Sequence, residues 1–442
     1  MNARRFDQLM EKWRAVAAGL PDRRTGDNVR YAMVDIALSA FAVFFTQCPS
    51  FLSFQQNMQK TQGRNNARSL FQVERIACDN HIRQTLDPVA PSHLFSLFDE
   101  LHRAFDENGA LEAMRSVQYT RLIALDATWY FSSQAQNIHC PNCSCIRHAE
   151  GQLTHFHSAI TPVIVSPGHA QVVPLRPEFI MPRDGQVKQD CEINAAKRWL
   201  AAQSARYSTG NDTLLGDDLY AHQPFCRQVL LHNFHFLLTC KPASHPHLTQ
   251  WVEALEEGRD RHTLKLRLKG KSNRWEHHQY RWANDVPLTD SDDALKVNWC
   301  EVTITDAQGS VLYRNAFITD WEITAQNVSG WVAAGRARWK VENENNNVLK
   351  TKGYHLEHNF GHGKKHLASL LMTMNLLAFG LHTLLELTDQ SYRQIRRAVG
   401  ARRKFFQHLE ALTTYLYFET WERLMDFMMR GLEIGPYAVQ KT

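Results

Sequence analysis

Thr120-Arg121-Leu122-Ile123-Ala124-Leu125-Asp126-Ala127 is the stretch on which the fold turns. Upstream of it no segment reads convincingly as a strand. Here the pattern becomes a β-rich apolar run that stops at an acid. Two further strand-like runs follow, Thr154–Val165 and Ala170–Leu175, joined at the turn Ser166-Pro167-Gly168. Val187–Gln203 has helical spacing, and Asp212–Gly216 is a short strand followed at once by Asp217-Asp218. A helix to Leu230 and a strand over Phe234–Cys240 complete the series. The order is three strands, helix, strand, helix, strand, which predicts an α/β core around a mixed five-stranded sheet.

Working outward, residues 242–320 change character. Thr263–Lys269, Trp299–Thr305 and Val311–Thr319 alternate as strands do, with a turn at Asp306-Ala307-Gln308-Gly309, so this segment reads as a β-rich insertion. Residues 322–350 return to helix, and 364–434 is helical and almost free of Pro and Gly. Residues 1–115 are helical too. After a break at Gly63-Arg64-Asn65-Asn66, the segments Ala67–Ile76 and Asp79–Leu86 fit a helix-turn-helix, with Asp79 as N-cap. Asn80, His81 and Arg83 would then face DNA; an ordinary helical hairpin is the alternative. The expected organisation is 1–115 helical DNA-binding region, 116–241 first part of the core, 242–320 insertion, 321–365 second part of the core, and 366–442 helical C-terminal region.

Composition sets the outer limits. In 442 residues, hydrophobic types make up 44% and charged types 21%, which excludes a disordered, collagen-like or disulfide-stapled chain. The net charge of +5 is compatible with a nucleic-acid partner without requiring one. Six of the nine Cys are scattered singly, which favours a reducing compartment. The N-terminal MNARRFDQLMEKWR carries no apolar signal run, so cytoplasmic residence is expected. Leu367–Leu387 is long enough to span a membrane, but Asn375, His382 and Glu386 within it favour a buried helix, and no membrane partner is expected.

Three acids sit where this topology would bring them together. Asp126 ends the first strand, Asp217 follows the fourth, and Glu342 lies on the helix after the insertion. Carboxylates converging from several elements suit two hard cations about 4 Å apart, the arrangement of two-metal phosphoryl transfer. Asp218 competes with Asp217, and Glu357 competes with Glu342. Arg338 lies four residues before Glu342, on the same helical face, where its planar fork suits a DNA phosphate. Lys350 and Lys352 extend that basic side.

A second cluster is Cys140-Pro141-Asn142-Cys143-Ser144-Cys145 with His155 and His157 downstream, the makings of a tetrahedral zinc site. Cys140 and Cys143 are the firmest ligands, with Cys145, His155 and His157 competing for the remaining places. His358, His362 and His366 are spaced by four, but Gly361 and Gly363 argue against one helix presenting them, and loop packing is the expectation there. In the insertion, Lys265, Arg267 and Lys269 alternate onto one strand face, near Trp275, Trp282 and Trp299.

Taken together, LIALDATWY around Asp126, LLGDDLYA around Asp217 and RARWKVENENNNVLK around Glu342 resemble the bacterial insertion-sequence transposases of the DDE type. The resemblance covers about residues 118–380. It implies a ribonuclease H-like core interrupted by a β-rich insertion, and Mg²⁺- or Mn²⁺-dependent cleavage and joining of transposon-end DNA by a homodimer with two ions per site. It also implies a nucleoid-associated location. In such relatives the third segment carries Tyr, Arg, Glu and Lys at set spacings. Arg338 and Glu342 fit; Gly335 stands where the Tyr belongs, and Lys350 falls one residue late, with Leu349 in the strict place. Related transposases stack a flipped base on a Trp of the insertion, for which Trp299 is the candidate here. A chain of this kind that has lost catalysis and only binds DNA is the alternative; a zinc hydrolase built on the Cys-His cluster is a third reading.

Overall fold

The run from Arg121 forms a strand of a nine-stranded sheet in the computed structural model, which describes residues 4–438 except 26–28, 136–137, 139, 183–189, 208–209, 271–272 and 359. The strands are β1 (Arg121–Ala124), β2 (Ala127–Ser133), β3 (Ser144–Arg147), β4 (Leu153–Ile160), β5 (Val163–Val165), β6 (Val173–Pro174), β7 (Glu178–Ile180), β8 (Asp212–Gly216) and β9 (His235–Thr239). Four more come from the insertion: β10 (His262–Lys269), β11 (Trp275–Pro287), β12 (Lys296–Thr305) and β13 (Val311–Thr319). The long β11 was not foreseen from the sequence.

The large sheet runs β10-β11-β12-β13-β9-β8-β1-β5-β6. β1, β8 and β9 are parallel neighbours, while β5, β6 and β13 join antiparallel. The expected five strands are present, but as part of nine. β13 pairs with the outer edge of β9, so the insertion continues the core sheet and covers an edge that would otherwise be open. The expected strand Thr154–Val165 is broken into β4 and β5, Thr120–Ala127 ends as β1 with Ala127 already opening β2, and Ala170–Leu175 shrinks to β6; β2, β4 and β3 form a second sheet with β7 on β4. Pro162 lies between β4 and β5 and Pro177 between β6 and β7; a residue with no N–H interrupts the ladder. The break between β1 and β2 is at Leu125-Asp126, bridged by a hydrogen bond from the Thr161 amide to the Asp126 carbonyl (3.0 Å).

Helices α1 (Arg4–Ala18), α2 (Met33–Phe45), α3 (Phe51–Met58), α4 (Thr61–Phe71), α5 (Asp79–Leu86), α6 (Phe95–Glu107) and α7 (Ala110–Ala113) precede the sheet. Within the core lie α8 (Glu192–Tyr207), α9 (Gln223–Leu231) and α10 (Pro246–Ala254), followed after the insertion by α11 (Val328–Arg336) and α12 (Asn347–Thr351). The chain ends in α13 (Leu367–Thr388), α14 (Gln390–Val399), α15 (Arg402–Tyr415) and α16 (Trp421–Gly431). The helix expected from Val187 starts at Glu192; residues 187–189 lie outside the described ones.

The two terminal regions, separate by sequence, interlock. Asn66 on α4 donates to the Thr413 and Leu416 carbonyls (both 2.6 Å) and accepts from the Phe418 amide (2.9 Å). Phe6 stacks on Trp421 at 4.7 Å. Gly63 is no break: it lies inside α4, where a Cβ would strike the Asn57 carbonyl of α3, so the glycine permits close packing. α13 is the one described helix long and apolar enough to cross a membrane, and it is packed inside the protein. Its polar residues are partly satisfied there, Asn375 Oδ1 and His382 Nε2 being buried without a hydrogen-bond partner among the described residues. Asn375 donates to the Tyr354 carbonyl (2.9 Å), and the Tyr354 hydroxyl donates to His382 Nδ1 (2.6 Å).

The helix-turn-helix expectation is not met at α4 and α5. The connection 72–78 is longer than the tight turn that motif uses. Cys78, not Asp79, is the N-cap of α5. Arg83 is turned inward: its Nε donates to the Phe360 carbonyl (2.7 Å) and it pairs with Asp79 (3.3 Å). His81 packs on Tyr31 beside Arg24, leaving Asn80 exposed at the start of the helix.

Candidate functional site

β1 and β8 run parallel, so their C-terminal ends meet, and open α/β sheets bind ligands at such ends. Asp126 follows β1 and Asp217 follows β8. Gly216 just before Asp217 has no Cβ, and one would strike the Tyr220 ring at 2.8 Å. That close approach lets Tyr220 fold back and donate to Glu192 Oε1 (2.6 Å). Glu192, in the first turn of α8, also accepts from the Ala127 amide. It is a fourth acid beside the predicted three.

Burial pushes the Asp126 carboxyl up to about 7, reinforced by the negative charges of Glu192, Glu342 and Asp217 and opposed by Arg338. Glu192 is raised as well, by burial and by Asp217, against the Tyr220 hydrogen bond. The three predicted acids thus sense one another across a shared, half-buried space. Asp218 does not belong to this group: it accepts from the Lys241 amide (2.6 Å) and lies 3.4 Å from His245, so its carboxylate holds the chain after β9. Nor does it begin a helix, since α9 starts only at Gln223. Glu357 is occupied by Lys350 at 2.7 Å.

The third acid sits on an irregular helix. After α11 come a 3₁₀ turn, Ala337–Trp339, then a π-helical stretch, Val341–Asn346, then α12. Wide π turns of this kind are frequent at functional sites. Lys340, buried, anchors the stretch by donating to the Ser166 and His169 carbonyls (both 2.5 Å). The π stretch also delivers Asn346, whose Nδ2 donates to Asp126 Oδ2 (3.0 Å) while its Oδ1 accepts from Thr161 (2.7 Å). Arg338 binds Glu342 at 2.7 Å, and its buried Nη1 has no hydrogen-bond partner among the described residues. Glu342 itself is 47% exposed, open to an incoming ligand. At Gly335 a Cβ would hit the Phe317 ring at 2.6 Å, so no tyrosine fits there. Leu349 is fully buried, Lys350 is held by Glu357 and Lys352 is exposed.

The second cluster is also built, with a different membership. Cys140 and Cys143 close a turn in which the Cys143 amide donates to the Cys140 carbonyl (3.0 Å). Their sulfurs are 3.8 Å apart, and His157 Nε2 on β4 lies 3.5 and 3.4 Å from them. The fourth member is His362, its Nε2 3.2 Å from Cys143 Sγ and 3.0 Å from His157 Nε2. These four could hold a metal ion. The Cys143 thiol, with His157 and His362, holds Cys140 well below its ordinary value. Cys145 and His155 are not members: they face each other across the β3–β4 pair. His358 and His366 are not members either.

No protein-family model matches this chain, and no curated protein matches it in sequence. The assignment of a function therefore rests on the site alone.

The basic face of the insertion lies on the edge strand. Lys265, Arg267 and Lys269 are exposed on β10, and β11 sets Gln279, His277 and Trp275 opposite them. Arg267 lies over the Trp275 ring at 4.6 Å and Lys269 at 5.5 Å. Trp299 is not placed for stacking on a base. It is 7% exposed, paired within β12 and covered by Arg281, so Trp275, 43% exposed, is the tryptophan that the face presents.

Proposed function

We propose that the protein is a metal-dependent DNA phosphoryl transferase of the DDE transposase type, built on a ribonuclease H-like core, that cleaves and joins transposon-end DNA. The observation that carries this reading is the group of acids gathered at the ends of β1 and β8: burial pushes the Asp126 carboxyl up to about 7, and the negative charges of Glu192, Glu342 and Asp217 add to it. Such an excess suits divalent cations, and hard carboxylate donors suit Mg²⁺ or Mn²⁺. The strand order β6-β5-β1-β8-β9, with its parallel centre, supports the core assignment.

Asp126, Asp217 and Glu342 would hold two such ions. When bound, the ions make a phosphate more electrophilic and an attacking water or 3′-hydroxyl more acidic. The protein's own groups do the positioning. Asn346 fixes one Asp126 oxygen and leaves the other free. Arg338, with an unpartnered buried nitrogen beside Glu342, is suited to a phosphate oxygen of the DNA backbone. Lys350, one residue late against the spacing of the resembled family, is paired with Glu357.

The DNA partner would run from this site toward the β10–β11 face. A homodimer would hold the paired ends, in the cytoplasm of a bacterium. The test is strand cleavage of DNA carrying the element's own ends with Mg²⁺, comparing the wild type with Asp126→Ala. Cleavage by the wild type and none by the variant supports the assignment, while full activity in the variant overturns it. If neither cleaves and both bind the ends, the protein is a DNA-binding relative without catalysis.

A further inference from the structure

The Cys-His cluster stands apart from the carboxylates and has its own geometry. A tetrahedral zinc ion with bonds of about 2.3 Å to sulfur and 2.0 Å to nitrogen sets its ligand atoms about 3.8 Å apart for S–S, 3.5 Å for S–N and 3.3 Å for N–N. The corresponding separations here are 3.8 Å, then 3.5, 3.4 and 3.2 Å, then 3.0 Å. Two thiols and two imidazoles favour zinc over a hard cation.

The surroundings hold these ligands ready. The Cys140 amide donates to Cys143 Sγ (3.4 Å), the contact that orients a thiolate knuckle. His362 Nδ1 donates to the Gly363 carbonyl (2.9 Å), which leaves the Nε2 lone pair facing the cluster. The Phe131 ring packs on His362 at 4.5 Å and Tyr130 stacks on His157 at 5.6 Å. Gly363 has φ +71 and no room for a Cβ against Asp87. Asp87, just after α5, accepts from the amides of Lys364 and Lys365 (3.0 Å each) and Leu367 (3.2 Å). The helix expected to read DNA is thereby committed to seating the His362 segment.

We propose that Cys140, Cys143, His157 and His362 bind one zinc ion in a closed tetrahedral site that clasps the second sheet to the segment between the Glu342 helix and α13. Four protein donors leave no open position, so the ion is structural and the site is not a hydrolytic centre. The clasp joins residues more than two hundred positions apart and holds in register the two elements flanking the third acid.

The test uses the full-length protein purified without added metal, with zinc measured by mass spectrometry and its ligands by X-ray absorption. The wild type is expected to hold about one zinc per chain with two sulfur and two nitrogen neighbours. His362→Cys should keep the zinc with three sulfurs, and Cys145→Ser and His155→Ala should leave content and spectrum unchanged. Three sulfurs in His362→Cys separates ligation from a folding role even if His362→Ala proves insoluble. Wild-type protein without zinc that also fails to take up added Zn²⁺ overturns the proposal, as does a His362→Cys spectrum still showing two sulfurs.

Discussion

The carboxylate site and the Cys-His site are assembled by the same topology and differ in how complete they are. In the Cys-His cluster each donor has a partner donor within 3.8 Å, and the surrounding backbone holds the ligands before any ion arrives. In the carboxylate site burial, and after it the neighbouring acids, push Asp126 toward its neutral form, Glu342 is half exposed and Arg338 has an idle nitrogen. A closed set of soft ligands stabilises a fold, whereas an open set of like charges stores unfavourable energy that an incoming cation and phosphate can relieve. That contrast separates the proposed structural site from the proposed reaction centre.

The largest effect that can break this comparison is the loss of Asp126. Asp126→Ala removes the carboxylate nearest the centre of the acid group, and DNA end cleavage should fall by more than about 10³-fold. Circular dichroism and zinc content should stay as in the wild type. If cleavage survives while zinc is lost, the roles of the two sites are reversed.

Next in size is the energy stored at Asp126. Its folded value of about 7 lies above its ordinary 3.8, so the folded protein keeps a proton that the unfolded chain releases. Stability should therefore fall as pH rises from about 4 to about 7 and then level off. Asp126→Asn retains an oxygen for Asn346 and removes this liability. Without divalent metal it should be more stable than the wild type by about 2–4 kcal/mol at pH 8, the difference vanishing toward pH 4. Mg²⁺ should narrow the gap by stabilising only the wild type. Equal denaturation midpoints at both pH values would show that the buried Asp126 carboxyl carries no such penalty.

How far each site could be read from the sequence follows from the same contrast. Asp126 and Asp217 were legible because strand ends are marked by the apolar runs before them. Glu192 was not: it lies in an expected helix with nothing to distinguish it, and gains its place only because α8 begins over the ends of β1 and β8. Asn346 was hidden because the π stretch breaks the 3.6-residue period on which helix faces are read. His362 was in view within a run of histidines, but the glycines that argued against a helix are the ones that bring the loop close to Cys143. Local patterns carry local geometry; long-range closure, such as Asp87 gripping residues 364–367, leaves no periodic trace. The core strands were readable for the same reason, and the breaks at Leu125-Asp126 and Thr161-Pro162 and the separate strand β7 were not.

Glu192 offers a smaller and sharper test of the charged site. Glu192→Gln keeps an acceptor for Tyr220 and the Ala127 amide but removes one like charge facing Asp126. Asp126 should then ionise at lower pH, so the acid limb of the cleavage profile should move downward by up to about one unit. The rate at pH 8 should drop about tenfold if Glu192 also helps hold a cation. A profile that does not move would confine Glu192 to bracing α8 against the Tyr220 turn.

The smallest effect belongs to the periphery. Arg267 sits on the edge strand with its guanidinium over Trp275, unpaired by any acid among the described residues, whereas Arg281 and Arg314 on the same face are committed to Glu301. Only an uncommitted cation can release counterions from DNA. Arg267→Ala should therefore weaken binding of double-stranded DNA a few-fold at moderate salt and reduce the slope of log K against log salt by about 0.9, the contribution of one phosphate. Arg314→Ala should leave that slope where it was. Identical slopes for wild type and Arg267→Ala would remove the β10–β11 face from the DNA path and leave the carboxylate site as the remaining candidate contact.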